Sequence, residues 1–392
     1  LFSFLVIAGT GTLPVAASEN DPLTISVSQD LVWEDNLFRV ADGARPEIEG
    51  SRRPRDDRLS VTTLAAQLGR TYSRQRLTAD FALTRSDYLE FDHLDFTAHN
   101  FGAAWQWILG NQWSGTISAR QDERLRSFSD RIGTVRSINT FRQYRADARY
   151  LMHPQWSFGA GWARMDSRFD DRESAGSEYI EDAVEALVQY RSLAGSTLAL
   201  VGRDAEGRYP ERNETLTTVT GYTQRDLLLR ADWGVTGHSR VSGQVGYTAR
   251  QYPHAGDKDF NGLTGRVTFD WNPTGKLALG MTARREMGAR EDVADNFVIT
   301  RAVSVDPVWQ IGNKLRLRGR LEWLKRDYGG DPFGIVAPDR DDRTQARALA
   351  LEWSPARNLS LQLGARNERR SSSDAYPGYR AASLFMSAKL AF

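Results

Sequence analysis

Apolar residues along most of this chain recur at every second position. Leu315, Leu317, Gly319, Leu321 and Trp323 alternate with Arg316, Arg318, Arg320 and Glu322. Tyr144, Ala146, Ala148 and Tyr150 alternate with Gln143, Arg145, Asp147 and Arg149, and Leu263, Gly265, Val267, Phe269 and Trp271 with Thr264, Arg266, Thr268 and Asp270. A period of two is that of a strand whose successive side chains point to opposite faces. One face is apolar and the other polar or charged, as in a strand with lipid on one side and a watery lumen on the other. The pattern predicts strands at 23–33, 58–70, 75–85, 95–109, 112–122, 140–151, 155–166, 179–190, 195–204, 221–235, 240–251, 260–271, 276–286, 297–311, 314–326, 341–354, 358–369 and 379–392. That makes eighteen, with sixteen as the alternative count, and an even number returns both ends of the chain to one side of the membrane. One segment conflicts with the pattern: Arg343, Gln345 and Arg347 share a parity with Leu349, Leu351 and Trp353, which predicts a bulge or a displaced boundary.

The connections alternate in length. GNQ near 110–112, HPQ at 153–155, TGHS at 236–239, NPTG at 272–275, GN at 312–313 and PAR at 355–357 are tight, whereas 34–57, 123–139, 167–178, 205–220, 287–296 and 327–340 are long and charged. Short periplasmic turns and long outer loops produce this alternation in an outer-membrane barrel. Tryptophans gather beside the short turns: Trp105, Trp107, Trp113, Trp156, Trp233, Trp271, Trp309 and Trp353. Amphipathic rings at that level form an interfacial girdle, a structural explanation that leaves little reason to assign them to carbohydrate stacking. No blade-like repeat is present, which argues against a propeller.

The first eighteen residues, LFSFLVIAGTGTLPVAAS, resemble the apolar core and small-residue cleavage site of a secretory signal, so residues 1–18 are expected to be residual signal peptide and 19–392 a single barrel. No other apolar stretch of this length occurs, and a membrane-spanning chain without long apolar helices must close into a barrel, because open sheet edges are not tolerated in hydrocarbon. At the other end Leu384, Met386, Ala388, Leu390 and Phe392 share one parity. A last strand ending in phenylalanine resembles the terminal strand of bacterial outer-membrane barrels. The expected fold class is therefore all-β, a transmembrane antiparallel barrel of the bacterial outer membrane.

Composition narrows the chemistry. The chain has no cysteine, which removes thiol nucleophiles, disulfides and cysteine-based metal sites. Its 51 basic and 50 acidic residues nearly cancel, which argues against a broad nucleic-acid-binding surface. The basic set is lopsided, five lysines against 46 arginines, and arginine suits multidentate contact with anions. The histidines His93, His99, His153, His238 and His254 are scattered, no GxxxxGK phosphate loop occurs, and nothing pairs a nucleophile with a base. An enzyme would need a convergent Ser/His/acid group near a rim. No catalytic residue, cofactor or metal ligand is expected.

The polar parity carries the functional signal. Arg145, Arg149, Arg230, Arg266, Arg284, Arg316, Arg318 and Arg320 are expected to line the lumen, interspersed with Asp147, Asp232, Asp270 and Glu322. They would form either a salt-bridged wall or, with guanidinium in excess, a surface that concentrates anions without trapping them. Segment 34–57 supplies loop or gate candidates, Asp35, Asn36, Arg39, Arg52, Arg53 and Arg55, for folding inward, for surface binding or as a solvated cap.

WEDNLFR, Trp33 to Arg39, follows the first strand and resembles the opening of the EpsL-like outer-membrane barrels encoded with exopolysaccharide synthesis genes. The strand number and arginine-rich wall are also similar to alginate-export barrels. The resemblance implies an outer-membrane channel for export of an exopolysaccharide, anionic in keeping with the arginines, without catalysis. Its implied partners are the polysaccharide, outer-membrane lipid and lipopolysaccharide, and periplasmic export or synthesis components, with no nucleic acid. The competing expectations are a small-anion or general uptake porin, and a plugged structural or surface-binding barrel.

Overall fold

The computed structural model describes residues 22–392 apart from 130–132, 213–218, 254–258, 289–296, 330–340 and 374–377. The signal-peptide expectation for residues 1–18, and His254, lie outside the described residues.

Eighteen antiparallel strands close on themselves: β1 (Leu23–Glu34), β2 (Asp57–Tyr72), β3 (Gln75–Tyr88), β4 (Phe96–Leu109), β5 (Trp113–Leu125), β6 (Ile138–His153), β7 (Trp156–Phe169), β8 (Tyr179–Arg191) and β9 (Thr197–Arg208) form the first half. β10 (Gly221–Thr236), β11 (Ser239–Gln251), β12 (Phe260–Thr274), β13 (Leu277–Gly288), β14 (Phe297–Gln310), β15 (Leu315–Gly329), β16 (Asp341–Ala356), β17 (Leu359–Ser372) and β18 (Tyr379–Ala391) form the second. Each strand pairs with its sequence neighbours, and β1 seals the barrel by pairing with both β2 and β18. Closure leaves no strand edge to be satisfied in hydrocarbon.

The expected alternation is realised strand by strand. Directly paired residues share a face in an antiparallel ladder. On β15 and β16 the outward row Leu315, Leu317, Leu321 and Trp323 faces Trp353, Leu351, Arg347 and Gln345. Tryptophans 105, 113, 156, 233, 271, 309 and 353 are exposed on the outer face beside the short turns, forming the girdle. The GNQ turn closes with Gly110 in the left-handed region at φ 61°, where a side chain would be strained.

Two expectations are corrected. The strands run 12–16 residues, and eight of them, β3, β5, β6, β7, β9, β13, β15 and β17, extend two to four residues further at the long-connection end than the pattern indicated, because about 9–11 residues cross the bilayer and the remainder stands in water. This also explains the conflict around 341–354. β16 pairs with β15 without interruption from Asp341 to Trp353, and Arg343, Gln345 and Arg347 occupy the outward face at and above the upper edge of the apolar band. The irregularity lies instead beside the PAR turn, between Trp353 and Ala356 in the pairing with β17.

Apolar packing inside the barrel is concentrated at its outer mouth. Leu37 and Phe38 from the first long connection, L1 (35–56), join Phe91 and Leu94 from L2 (89–95) and Phe128 from L3 (126–137), over Leu59, Tyr88 and Leu125 at the strand tips. Phe38 meets Phe91 and Phe128 edge-on, with ring centroids 4.8 and 4.7 Å apart. Such aromatic pairs add about 0.5–1.5 kcal/mol each beyond the area they bury.

Candidate functional site

All eight arginines proposed to line the pore lie on the inward parity of their strands. They form a ladder along the lumen. Arg149, Arg316 and Arg318 lie toward the short-connection end, and Arg145, Arg230, Arg266, Arg284 and Arg320 near mid-height, with Arg266 directly opposite Arg284.

They are not free cations. Arg145 lies 3.7 Å from Asp147 and 3.5 Å from Glu185, and Arg230 reaches the same Glu185 at 3.8 Å. Arg266 meets Glu286 at 2.9 Å, and Arg284 lies between Glu322 at 3.2 Å and Glu286 at 3.7 Å. Arg318 and Arg316 share Glu352 at 2.9 and 3.8 Å, while Arg320 lies 3.7 Å from Asp306 and 3.9 Å from Glu322. Only Arg149 of the eight makes no ion pair with a described residue. Of the acids expected beside them, Asp147 and Glu322 take part in these pairs, whereas Asp232 binds Arg240.

The pairing sets what the wall can do chemically. A guanidinium has five N–H donors, and a carboxylate engages two at most, so a paired arginine keeps donors facing the water. The exposed pairs, such as Arg266 with Glu286, contribute about 0–1 kcal/mol each, whereas Arg284, Arg316 and Arg318 are largely shielded from water. An anion can therefore exchange with a wall carboxylate from one arginine to the next without falling into a deep well, the condition for passage rather than retention.

The sequence reading missed further wall residues on the same parity. Arg203 on β9 is mostly buried among Glu181, Asp226 and Glu185. Arg366 on β17 pairs with Glu368 at 2.5 Å, and Arg370 with Asp342 at 3.0 Å. Period-two parity within the predicted strands was the signal available for Arg203 and Arg366, whereas Arg370 lies one residue beyond the predicted strand 358–369.

The loop candidates serve as anchors. The Asp35 carboxylate accepts from the Ala382 N–H at 2.6 Å, docking L1 on β18. Asn36 is fully buried, donates to the carbonyls of Val40 and Arg380 at 2.9 and 2.8 Å, and accepts from the Val40 N–H at 3.0 Å. Arg39, in the left-handed region at φ 55°, turns back to pair with Glu34 at 2.9 Å. Burial favours loss of its proton, but Glu34 and Glu368 outweigh that and hold it above the usual guanidinium range. DNLFR is thus explained locally: two polar hooks, two apolar side chains for the mouth core, and a returning cation. Arg52 and Arg53 are exposed on and beside a small hairpin (Glu47–Ile48 with Ser51–Arg52), and the Arg55 carbonyl accepts from the Leu37 N–H at 2.9 Å.

L3 crosses the mouth. It leaves β5, and its Ser129 carbonyl accepts from Arg370 Nη1 on β17 at 2.6 Å. Beneath it, Ser127, Ser129, Arg39, Glu322, Arg366, Glu368 and Tyr379 help line a cavity of about 50 Å3. Further round the rim, Tyr209, Tyr222 and Tyr252 cluster with Arg212 and Arg250 stacked 3.8 Å from the Tyr209 and Tyr222 rings. Burial pushes the Tyr252 phenol up to about 12 against the pull of Arg250, so it stays neutral. Among the described residues no three His, Asp or Glu side chains are placed to hold a metal ion.

A family model described as "Putative beta-barrel porin 2" matches residues 236–392, less than half of the chain. No curated protein sequence matches significantly. Solved outer-membrane structures match nearly the whole length. Pseudomonas aeruginosa OccK2 (OpdF) superposes with a TM-score of 0.51 at 14% identity, covering 94% of this chain and 98% of that one. Its complex with glucuronate gives 0.50 at 14%, covering 95% and 98%. Acinetobacter baumannii OccAB3 gives 0.50 at 10%, covering 94% and 99%. At these identities the likeness is one of fold. The chain is a multi-pass β-barrel of the bacterial outer membrane with the architecture of a porin. What this shares with the export-barrel resemblance is the outer-membrane barrel itself.

Proposed function

We propose that the barrel is a passive channel for small organic anions, moving them down a gradient without catalysis. The observation that carries this reading is the bond from Arg370 to L3. A connection bonded to β17, with L1 and L2 packed onto it, occupies part of the mouth above a wall whose arginines retain spare donors, an arrangement that favours small solutes over a polymer. OccK2, similar in fold, has been solved with glucuronate, a small carboxylated sugar, and that chemical class fits such a wall. Export of an exopolysaccharide, the expectation from the WEDNLFR resemblance, needs a wider and continuous path, and DNLFR has a sufficient structural role here. Periplasmic export or synthesis partners are not required under this reading.

Reconstitution into liposomes tests it. Glucuronate and gluconate should enter faster than neutral sugars of the same size, and planar bilayers should show anion selectivity. Equal permeation by neutral and anionic solutes would defeat the proposal. Loss of extracellular polysaccharide with intracellular accumulation in a deletion strain would restore the export reading.

A further inference from the structure

The lipid-facing wall carries a feature that transport does not use. Between β11 and β16 lies an outward groove of about 780 Å3. Its floor is Gly265 and Ala283, small residues flanked by Leu263, Val303 and Trp323, which stand 69%, 49% and 46% exposed with no protein packed on them.

Along its long-connection edge the register aligns four cations. Arg285 on β13 is opposite Arg301 on β14, Arg301 opposite Lys325 on β15, and Lys325 opposite Arg343 on β16. Neighbouring strands lie about 4.8 Å apart, and like charges placed directly opposite one another are destabilising. Two carboxylates offset the row in part. Asp327 pairs with Arg301 and with Lys325 at 2.8 Å, and Asp341 with Lys325 at 3.1 Å and Arg343 at 3.4 Å. Arg285 has no ion pair with a described residue, so the row keeps an excess of positive charge. On β7–β9 the outward rim is mixed, Arg164, Arg168 and Arg208 standing among Asp166, Asp182, Asp204 and Glu206. Outward arginines continue past the groove at Arg347, Arg369 and Arg380, but only the Arg285–Arg343 row borders its apolar floor.

An apolar floor facing lipid, capped on the outer side by four cations that two carboxylates offset only in part, complements an amphiphile with acyl chains and phosphates. We propose that the groove seats one molecule of a phosphorylated, multiply acylated lipid A-type glycolipid of the outer leaflet. Its chains lie over Gly265, Ala283 and Val303, and its phosphates lie on the Arg285–Arg301–Lys325–Arg343 row. This site is independent of what passes through the lumen.

Native mass spectrometry of the full barrel in detergent tests the assignment, with bis-phosphorylated lipid A, monophosphorylated lipid A and phosphatidylglycerol as probes. The bis-phosphorylated form should bind about tenfold more tightly than the other two, equivalent to about 1.4 kcal/mol. Arg285→Gln with Arg343→Gln should remove that preference. Ala283→Trp, which fills the floor and leaves every cation in place, should weaken all lipid A binding. Arg164→Gln on the mixed rim should change nothing. Unaltered lipid A retention in either groove variant, or phosphatidylglycerol binding as tightly as bis-phosphorylated lipid A, would overturn the proposal.

Discussion

Arg370 on β17 donates from Nη1 to the carbonyl of Ser129 in L3 at 2.6 Å, and from Nη2 it pairs with Asp342 at 3.0 Å. One buried side chain therefore ties a loop from the β5–β6 side of the barrel to the wall near its seam, and neutralises an acid with almost no access to water. Replacing it by alanine removes both functions. Asp342 loses the Arg370 guanidinium and keeps the Tyr328 hydroxyl. Arg370→Ala should raise single-channel conductance and lower the unfolding midpoint in urea. Unchanged conductance in a folded variant would show that L3 does not narrow the pore.

Asn36 holds the root of L1 through three hydrogen bonds, one of them to β18. Asn36→Ala leaves buried carbonyls unsatisfied at about 1–3 kcal/mol. Faster protease cleavage within L1, with heat-dependent gel migration retained, is the expected result.

The arginines of β15 share carboxylates with their neighbours, so removing them changes the sign of the local field rather than merely diluting it. Arg316→Gln, Arg318→Gln and Arg320→Gln together leave Glu352 and Asp306 without the guanidinium partners found for them and Glu322 with Arg284. The reversal potential under a salt gradient should move toward cation preference, while assembly persists because the backbone ladders on both sides of β15 are untouched. An unmoved potential would rule out an electrostatic role for this row.

Arg149 allows a comparison between single substitutions. It is the wall arginine of the eight without an ion pair among the described residues, whereas Arg318 is 12% exposed and bound to Glu352. Arg149→Gln should reduce anion selectivity at low salt more than Arg318→Gln, after which Arg316 can still satisfy Glu352. The same two variants measured at about 1 M salt should converge, since the Debye length falls to about 3 Å.

Much of this molecule is legible along the chain because the information is local. Lipid on one side and water on the other impose a period of two within each strand, and eighteen such segments with alternating short and long connections define the barrel, its orientation and the tryptophan level before any contact is known. Which way Arg316, Arg318 and Arg320 point follows from parity alone. Which acid each one meets does not, because Glu352 and Asp306 come from neighbouring strands and are placed by register. The loops are further from reach. Nothing near Asn36 announces the carbonyl of Arg380, and nothing near Ser129 announces Arg370, since these partners meet only when the cylinder closes. The row from Arg285 to Arg343 is of the same kind: four unremarkable outward cations on separate strands become one binding edge through pairing, a relation that exists only between strands.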